Sequence, residues 1–304
     1  MTPPAPDPET FRARALAAVA TLAAARGLPA GPAHVLADRA NLLVALPAAG
    51  LVARVATTVG TVRPLGGYAH QVREVAIARH LADRGLPVVP PAPGDLAGPH
   101  RPDGLSMSLW QRVDEDPARP LDAAAAGLGL RAIHEALAGA TIPGIPAFEP
   151  LPEVDRLLDL LDASGGIPPA DLAALRAARL ALTPIWAAFA AAPSQILHGD
   201  AHLGNCLRTP AGPLWTDFED VVRAPIAWDL ACLVGASRSW GPPDPEAQAA
   251  LAAYGVEPPA LEAMLPLRAL LVTAWVAYMG TRHPGSEAKV EARLAWFRRW
   301  IAEL

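Results

Sequence analysis

The stretch of sequence that decides the fold is ILHGDAHLGN at residues 196–205, followed by WTDFE at residues 215–219. Asp200 and Asn205 are five residues apart, and Asp217 follows twelve residues after Asn205. Phosphoryl transfer needs a carboxylate that orients the acceptor hydroxyl, and further oxygen ligands that hold Mg²⁺ on a nucleoside triphosphate. Two carboxylates and an amide at this spacing predict such a site.

Strands are expected to deliver these side chains. Ile196-Leu197 is typical of an apolar strand end that runs into a loop, and residues 214–216 are typical of a second strand with Asp217 at its tip. We expect the two strand ends to lie side by side. That arrangement would bring Asp200, Asn205 and Asp217 together.

The motif His-Gly-Asp-x-His-x-x-Asn at residues 198–205, with Asp-Phe-Glu at residues 217–219, resembles the aminoglycoside phosphotransferase family, whose fold is similar to that of protein kinases. Protein kinases have the same Asp-x-x-x-x-Asn spacing in their catalytic loop, and their later Asp-Phe-Gly supplies another metal ligand. The downstream Trp-Asp-Leu-Ala at residues 228–231 also fits the family. A lone His-Gly-Asp is weak evidence, whereas three linked pieces in this order are a specific signal.

The resemblance implies a role for each polar residue of the motif. Asp200 would orient or deprotonate the acceptor hydroxyl, while Asn205 and Asp217 would bind Mg²⁺ on the co-substrate, ATP or GTP. His198 and Asp229 would support the catalytic loop.

Two other interpretations of the motif are open. His198, Asp200 and His202 could form the mononuclear metal site of a hydrolase, although the remaining histidines lie in unrelated contexts. A nucleotide-binding module without turnover is the second alternative. The presence of Asp200, Asn205 and Asp217 together favours an enzyme, because a silent module has no need for all three.

The residues before the motif match the nucleotide-binding part of such an enzyme. Residues 41–46 and 51–56 predict two strands joined by a hairpin. In the kinase-like plan the second strand carries a Lys that contacts the phosphates and is held by a Glu on the next helix. Arg54 stands at that place here, and Glu74, on a helix expected at residues 68–84, is its natural partner. The alternative is a solvated Arg on an edge strand beside an ordinary surface Glu.

A loop that covers the phosphates is expected at residues 37–41. Because Asn41 lies in this loop, it is predicted to bind the nucleotide. This loop contains no glycine, which departs from the protein-kinase pattern. The resemblance nevertheless allows the departure, since members of the family often lack these glycines.

An inter-lobe linker is expected after a strand over residues 105–110. Its backbone near Leu109 and Trp110 would bind the adenine edge of the nucleotide. Another strand is expected to begin within residues 85–91. The alternative for Trp110 is a plain core residue.

The second half of the chain predicts helices. One amphipathic helix places four apolar residues at i, i+3, i+4 and i+7 and three carboxylates on the opposite face; these are Val154, Leu157, Leu158 and Leu161, and Asp155, Asp159 and Asp162. Such an acidic face is usually just solvated, and the alternative is an acidic wall for a cationic acceptor. The apolar residues 170–192 suit the buried centre of a helical lobe. Further helices are expected at residues 8–26, 123–138, 245–254, 259–283 and 286–302.

These elements predict an α+β, protein-kinase-like fold. A small N-terminal lobe would hold an antiparallel sheet and one key helix, and a larger C-terminal lobe would be mostly helical, with a nucleotide cleft between them. We expect the nucleotide-binding lobe at residues 1–109, the linker at residues 110–116, and the helical lobe, with the catalytic loop and the acceptor site, at residues 117–304.

The acceptor is expected to be a small molecule with a hydroxyl group, plausibly a cationic antibiotic or an aminoglycoside-like compound. Glu219 and Asp220 are the candidate acceptor-binding residues, because they follow the expected metal ligand directly. Antibiotic resistance would then be the biological role. Other acceptors that the resemblance reaches are choline-like amines, sugars and homoserine.

Composition excludes several classes of function. The net charge is −5 and no basic run occurs, which argues against a nucleic-acid partner. The two cysteines suit a reducing cytosol and predict buried thiols rather than a disulfide framework. Residues 1–7 do not read as a signal peptide, and the most apolar helix candidate, residues 269–280, is short for a bilayer. We therefore expect a cytoplasmic protein without a membrane partner, and the sequence leaves its oligomeric state open.

Overall fold

The computed structural model describes residues 8–39, 41–57, 66–281 and 287–303. The chain separates into two compact units. One contains the residues up to Asp116 together with Thr216–Glu219, and we call it the sheet unit. The other contains Pro117–Trp215 and Asp220–Leu304, and we call it the helical unit.

The sheet unit is built on a four-stranded antiparallel sheet with strand order β1-β2-β3-β4. Its elements are α1 (Pro8–Ala25), β1 (His34–Asp38), β2 (Asn41–Leu46), β3 (Leu51–Ala56), α2 (Gly66–Ala82) and β4 (Met107–Gln111). A single 3₁₀ turn over Pro47–Ala49 closes the hairpin between β2 and β3, and Gly50 takes the left-handed conformation that ends it. The predicted hairpin and the helix after it are therefore confirmed.

Strand β3 is central in this sheet. Arg54 lies opposite Leu43 on β2 and Ser108 on β4. Its neighbours Ala53 and Val55 are fully buried, and Arg54 itself is 6% exposed. A solvated position on an edge strand is therefore wrong for Arg54.

Two features of the sheet differ from the expectation. Strand β1 was not foreseen, because its residues alternate between exposed and half-buried and carry no apolar repeat. Ala37 and Asp38, expected in a loop, end this strand instead, while Ala40 of that loop lies outside the described residues. No regular strand forms within residues 85–91; Val88 and Pro91 are isolated bridge residues, and Pro91 pairs with Trp110. Proline has no N–H with which to build a ladder.

The helical unit contains eight described helices and two small sheets. The helices are α3 (Ala123–Leu137), α4 (Pro150–Ser164), α5 (Pro169–Ala181), α6 (Thr183–Ala190), α7 (Ala227–Arg238), α8 (Pro245–Tyr254), α9 (Leu261–Gly280) and α10 (Glu287–Ala302). The strands are β5 (Gln195–Leu197), β6 (Cys206–Thr209), β7 (Gly212–Trp215) and β8 (Val222–Ala224). His283 and Ser286, expected at the ends of the last two helices, lie outside the described residues.

The four apolar residues predicted to share one face of α4 are all buried, as expected. Helices α3 and α8 pack so closely that a Cβ added at Gly127 would collide with the carbonyl oxygen of Ala250. Both cysteines are free and buried, as predicted, and burial raises the pKa of the Cys206 thiol to about 12.

The two strands that flank the motif do not lie side by side. Strand β5 pairs with β8, and β7 forms a hairpin with β6. The expectation of one shared strand pair is therefore wrong. Only Pro210 and Ala211 separate β6 from β7, so the local hairpin closes at a low cost in chain entropy.

The apolar stretch at residues 170–192 is not the buried centre of the unit. It forms α5 and α6, which meet at Thr183-Pro184, and Leu180 is 69% exposed. Alanine can face water at little cost, so apolar composition alone overestimated its burial.

The central helix is instead α9, which packs against α4, α7 and α10. Its 20 residues lie within the helix expected at residues 259–283, and by length and composition it could cross a membrane, as could residues 169–190. Most of α9 is buried inside the protein, as is usual for the core helix of a helical unit.

Candidate active site

The loop that carries Asp200 follows β5 directly, and one buried carboxylate bonds its backbone. Asp229, on the first turn of α7, is fully buried. Its Oδ2 accepts a hydrogen bond from the backbone N–H of His198 at 2.9 Å, and its Oδ1 accepts one from Gly199 at 2.8 Å. The position of Asp229 fits the supporting role that the resemblance implied.

Gly199 explains why the motif has a glycine between the histidine and the aspartate. Its φ is +88°, a conformation that favours glycine. A Cβ at this position would also collide with the carbonyl oxygen of Asp220. The carbonyl of Gly199 in turn accepts a hydrogen bond of 2.7 Å from Trp228 Nε1. Both the N–H and the carbonyl group of Gly199 are therefore held by buried side chains, which fixes the loop.

A buried chain of hydrogen bonds continues from Asp229. His134 Nε2 lies 2.8 Å from Asp229 Oδ2, and His134 Nδ1 lies 2.9 Å from the hydroxyl of Tyr254. A carboxylate can only accept, so Nε2 carries the proton and the Tyr254 hydroxyl donates to Nδ1. Burial, with Asp229 nearby, raises the pKa of Tyr254 to about 12, which keeps that donor protonated. Sequence reasoning missed His134 and Tyr254, since neither belongs to a motif.

Several side chains of the helical unit contact Asp200. The amide Nδ2 of Asn205 donates to the carbonyl of Asp200 at 3.0 Å and lies 3.4 Å from its Oδ2. His202 Nε2 is also 3.4 Å from Oδ2. Arg268, on α9, donates through Nη2 to Oδ1 in a short ion pair. The contact with Arg268 was not foreseen, because Arg268 lies 68 residues from Asp200 in an apolar helix.

The charges around Asp200 keep it ionised. Burial alone would raise its pKa, but Arg268, followed by His202 and His198, lowers the pKa of Asp200 well below its ordinary value. His198 is fully buried and its Nδ1 accepts a hydrogen bond from the backbone N–H of Asp200 at 3.3 Å. This contact is the kind of bracing that was expected of His198.

In the sheet unit, Arg54 is bonded to three carboxylates. Its Nη1 lies 2.7 Å from Glu74 Oε1, and its Nη2 lies 2.6 Å from Asp217 Oδ1 and 2.9 Å from Glu219 Oε2. The predicted pairing of Arg54 with Glu74 is thus present, and the bonds to Asp217 and Glu219 are new. Burial would lower the pKa of Arg54, but Asp217, Glu74 and Glu219 together raise it well above its ordinary value.

Asp217 has an uncommon backbone conformation. Its φ is +67°, in the left-handed region that few residues other than glycine adopt. Strain of this kind persists only where the surroundings hold it, and it is often found at functional sites. The ion pair with Arg54 is one such restraint.

Two residues have the oxygen donors that Mg²⁺ prefers. Asn205, in the helical unit, uses its Nδ2 on Asp200 and thereby leaves its amide oxygen as a donor. Asp217, in the sheet unit, uses Oδ1 on Arg54, and its side chain is 35% exposed. Each donor set therefore fits a hard cation within its own unit.

Glu219 is not a free acidic residue for a cationic acceptor. Its side chain is only 12% exposed and pairs with Arg54. Its Oε2 also accepts a hydrogen bond of 3.1 Å from Asn41 Nδ2, and Asn41 is itself buried at the start of β2. The assignment of Glu219 to acceptor binding is therefore corrected, and the side chain of Asn41 is directed at Glu219. Asp220 belongs to the helical unit, where its charge acts on Arg268.

The acidic face of α4 is paired rather than free. Asp155 receives two bonds from Arg179 on α5, at 2.6 and 2.7 Å, and Asp162 receives one from Arg176 at 2.9 Å. Asp159 also contacts Arg176, at 3.4 Å. Two arginines of the neighbouring helix thus pair with all three carboxylates and offset most of their charge, so this face is not a free acidic wall.

Leu109 and Trp110 lie inside β4 and not in a linker. Leu109 is fully buried, and its carbonyl already accepts a hydrogen bond from Ala92 at 2.9 Å. Trp110 is 7% exposed, and its Nε1 donates to Ser108 Oγ at 2.9 Å. The alternative of a core residue is thus correct for Trp110, while the assignment of both residues to adenine binding stays a prediction. The stretch without regular structure begins only at Arg112.

A comparison with protein families now places the chain. A family model described as the phosphotransferase enzyme family matches residues 52–267, which is more than half of the chain. No curated protein matches the chain at a significant level.

Several solved structures are similar to this one. A choline/ethanolamine kinase family protein from Mesorhizobium loti is 21% identical, with a TM-score of 0.63 over 97% of this chain and 95% of that chain. Amicoumacin kinase hAmiN, in complex with AMP-PNP, Ca²⁺ and Ami, is 16% identical, with a TM-score of 0.68 over 91% and 89%. Spectinomycin phosphotransferase, in complex with ADP and spectinomycin, is 16% identical, with a TM-score of 0.61 over 90% of each chain. At these identities the likeness shows a shared fold.

The fold is similar to that of these kinases, and the family match defines the chain as a phosphotransferase enzyme. The chain belongs to the phosphotransferase enzyme family. This membership decides against the metal-hydrolase interpretation and favours an enzyme over a module without turnover.

Proposed function

We propose that the chain transfers the γ-phosphoryl group of ATP or GTP to a hydroxyl of a small molecule, with Mg²⁺ as the metal. The observation that carries the proposal is the position of Asp200, which is ionised, one-quarter exposed at its side chain and held in a loop fixed by Asp229. Two similar structures, by their names, hold AMP-PNP with Ca²⁺ and ADP, which supports a nucleotide co-substrate and a divalent metal.

Asp200 would accept a hydrogen bond from the acceptor hydroxyl and aim its oxygen at the γ-phosphorus. The new bond joins that oxygen to phosphorus, the bond to the β-phosphate oxygen breaks, and the hydroxyl proton passes to Asp200. Because Arg268 lowers the pKa of Asp200, the carboxylate is a weak base. The transition state of such transfers is loose, so orientation contributes more than early proton removal.

Arg54 and Asp217 would act on the nucleotide and its metal ion rather than on the acceptor. Arg54 has both Nη1 and Nη2 bonded to carboxylates, so it would act on the phosphates chiefly by fixing Asp217 and by its charge. Asp217 and Asn205, each within its own unit, are proposed as oxygen ligands of Mg²⁺. When bound, that ion neutralises charge on the phosphates.

The experiment is a screen of hydroxyl acceptors in which ADP or GDP release is coupled to an optical readout. Cationic antibiotics, choline-like amines, sugars and hydroxy acids form the panel. Phosphorylation of one acceptor at a rate that Asp200→Asn abolishes supports the proposal. Turnover that Asp200→Asn leaves intact would contradict it.

A further inference from the structure

One arginine from outside the sequence motif touches the catalytic carboxylate. Arg268, on α9, donates through Nη2 to Asp200 Oδ1 in a short ion pair. The contacts that Oδ2 makes with described residues are longer, at 3.4 Å to Asn205 Nδ2 and 3.4 Å to His202 Nε2. Oδ1 is therefore committed to Arg268, and Oδ2 is the oxygen that an acceptor hydroxyl would meet.

Helix α7 holds the side chain of Arg268 in place. The guanidinium lies 5.7 Å from the centre of the Trp228 ring, and a Cβ added at Gly235 would lie 3.4 Å from Arg268 Cγ. An aromatic face attracts a cation at such a distance. Trp228 also donates to the carbonyl of Gly199. The same indole thus contacts both the catalytic loop and the arginine beside it, so the guanidinium is fixed before any substrate binds.

The guanidinium has donors that the protein does not use. An arginine offers five N–H groups, and in the part of the chain that the structure describes Arg268 donates to Asp200 alone. Its side chain is 11% exposed, so the cation is shielded from bulk water but remains accessible. Burial acts to lower the pKa of Arg268, but its neighbours, Asp200 among them, raise it above its ordinary value. A shielded arginine with spare donors is well suited to phosphate oxygens.

The proposed reaction brings a phosphoryl group close to this cation. The acceptor hydroxyl would lie on Asp200, at the distance of about 2.7 Å that is usual for such a hydrogen bond. Its oxygen must come within about 3–3.5 Å of the γ-phosphorus to react. The phosphorus is then two short contacts from Asp200, while the guanidinium is one contact from the same carboxylate. In the transition state the transferred group carries negative charge on three oxygens, and an ionised carboxylate repels it.

We propose that Arg268 is a further catalytic residue, which donates a hydrogen bond to an oxygen of the transferring phosphoryl group while it holds Asp200 Oδ1. The inference rests on the proposed function and deepens it. Arg268 keeps all its protons, and the hydroxyl proton still passes to Asp200 as the new oxygen–phosphorus bond forms. The guanidinium offsets the repulsion between Asp200 and the phosphoryl oxygens, as a fixed donor aimed at developing charge does.

The first test separates this role from a role in keeping Asp200 ionised. Arg268→Gln should lower kcat on the identified acceptor by about 10²–10³-fold, the usual loss for one donor to transition-state charge. KM for the nucleotide and for the acceptor should each stay within about three-fold, because the interaction is made in the transition state. The loss should persist on the high-pH plateau, where Asp200 is ionised in both proteins.

Two outcomes of this test would overturn the proposal. Recovery of the wild-type kcat at high pH would mean that Arg268 acts only by keeping Asp200 ionised. A raised KM for the acceptor with an unchanged kcat would mean that the spare donors bind the acceptor and not the phosphoryl group.

Two further variants control for charge and for the loss of an ion pair. Arg268→Lys should lie between wild type and Arg268→Gln in kcat, because it retains the charge but not the fork. A lysine variant no faster than the glutamine variant would contradict a role for the charge. Arg179→Gln removes another arginine of the helical unit from a short ion pair, with Asp155, and should keep the wild-type kcat. Assays are run at a temperature at which urea unfolding shows every variant to be folded.

A binding measurement keeps this inference separate from the proposed function. If the wild type phosphorylates no acceptor, the proposed function fails. Calorimetric titration of the full chain with ADP or GDP, Mg²⁺ and aluminium fluoride, a mimic of the transferring phosphoryl group, tests Arg268 without an acceptor. The wild type should bind this mixture about 10²-fold more tightly than Arg268→Gln does, while the nucleotide alone should bind both equally. Equal affinity of the two proteins for the mixture, or no effect of the fluoride on the wild type, rules the proposal out.

Discussion

Arg54 Nη2 lies 2.6 Å from Asp217 Oδ1, so the residue at the expected phosphate position is bonded to a residue at the expected metal position. The same guanidinium also holds Glu74 and Glu219. Three carboxylates from separate parts of the sheet unit therefore converge on one guanidinium. The Mg²⁺ ion that we propose would bind at Asp217, which is one of these three.

Replacement of Arg54 should therefore destabilise the sheet unit as well as impair turnover. Arg54→Ala removes a cation that is bonded to Glu74, Asp217 and Glu219 at once, and loss of one member of a buried ion pair costs about 3–5 kcal/mol. Arg54→Lys should lose less, because it keeps the charge. Urea unfolding measures the change, with the exposed Arg12→Ala as control. Equal stability of Arg54→Ala and wild type would show that the carboxylates do not depend on this residue.

Asp200 should be required for the chemical step and not for binding of the nucleotide. Asp200→Asn keeps the shape of the side chain but cannot accept a proton, so kcat should fall by roughly 10²–10⁴-fold. KM for ATP should stay near the wild-type value. His202→Gln is the control, since His202 is 41% exposed and lies 3.4 Å from Asp200. Steady-state kinetics on the identified acceptor checks both, and a mutant with most of the wild-type kcat would remove Asp200 from the mechanism.

Gly199→Ala should disrupt the catalytic loop through collision rather than through φ alone. The added Cβ meets the carbonyl oxygen of Asp220, whereas a Cβ at Gly139, which also has positive φ, meets nothing within 4 Å. Gly139→Ala should cost only about 1–2 kcal/mol, the usual penalty for a left-handed residue. Gly199→Ala should cost more and abolish activity. Equal changes in unfolding free energy for the two variants would show that the collision is relieved.

The buried hydrogen bonds from Tyr254 to His134 and from His134 to Asp229 should both contribute to stability, and the bond nearer the catalytic loop should contribute more. Tyr254→Phe leaves the buried Nδ1 of His134 without its donor and should cost about 1–3 kcal/mol. His134→Ala also deprives Asp229 of a partner and leaves a cavity, so its cost should be larger. Thermal unfolding of the two variants measures this order, and a more stable Tyr254→Phe would contradict it.

The pH dependence of turnover should respond to Arg268. In the wild type the lowered pKa of Asp200 keeps the carboxylate ionised in mild acid, so the acid limb of kcat/KM does not come from this group. In Arg268→Gln burial still raises the pKa, while the largest opposing charge is gone. The acid limb should then move to higher pH. A pH–rate profile that is shifted to lower pH, or unshifted, would show that Arg268 does not hold Asp200 ionised.

Local sequence patterns predicted much of the fold correctly. The spacing of apolar residues and the turn-forming residues between them predict the β2–β3 hairpin, the α2 helix with Glu74, and the buried apolar face of α4. Strand β1 was missed because its side chains are exposed on alternate positions without an apolar repeat. Its pairing with β2 supplies the stability that its own residues do not show.

Long-range partners could not be read from the sequence. Spacing within one motif identifies Asp200 and Asn205, but it says nothing of Arg268, which approaches through the packing of α9. The same limit explains the error over Glu219, where a carboxylate beside the expected metal ligand was taken as free. Its partner, Arg54, is 165 positions earlier in the chain.

The assignment of Thr216–Glu219 to the sheet unit has a consequence for engineering. Neither unit is a continuous piece of chain, so a chimaera joined to a relative at residue 116 would separate Arg54 from Asp217 and Glu219. The donor of the first 116 residues must therefore also donate this tetrapeptide. The same reasoning predicts that residues 1–116 expressed alone would expose a guanidinium without two of its three counterions.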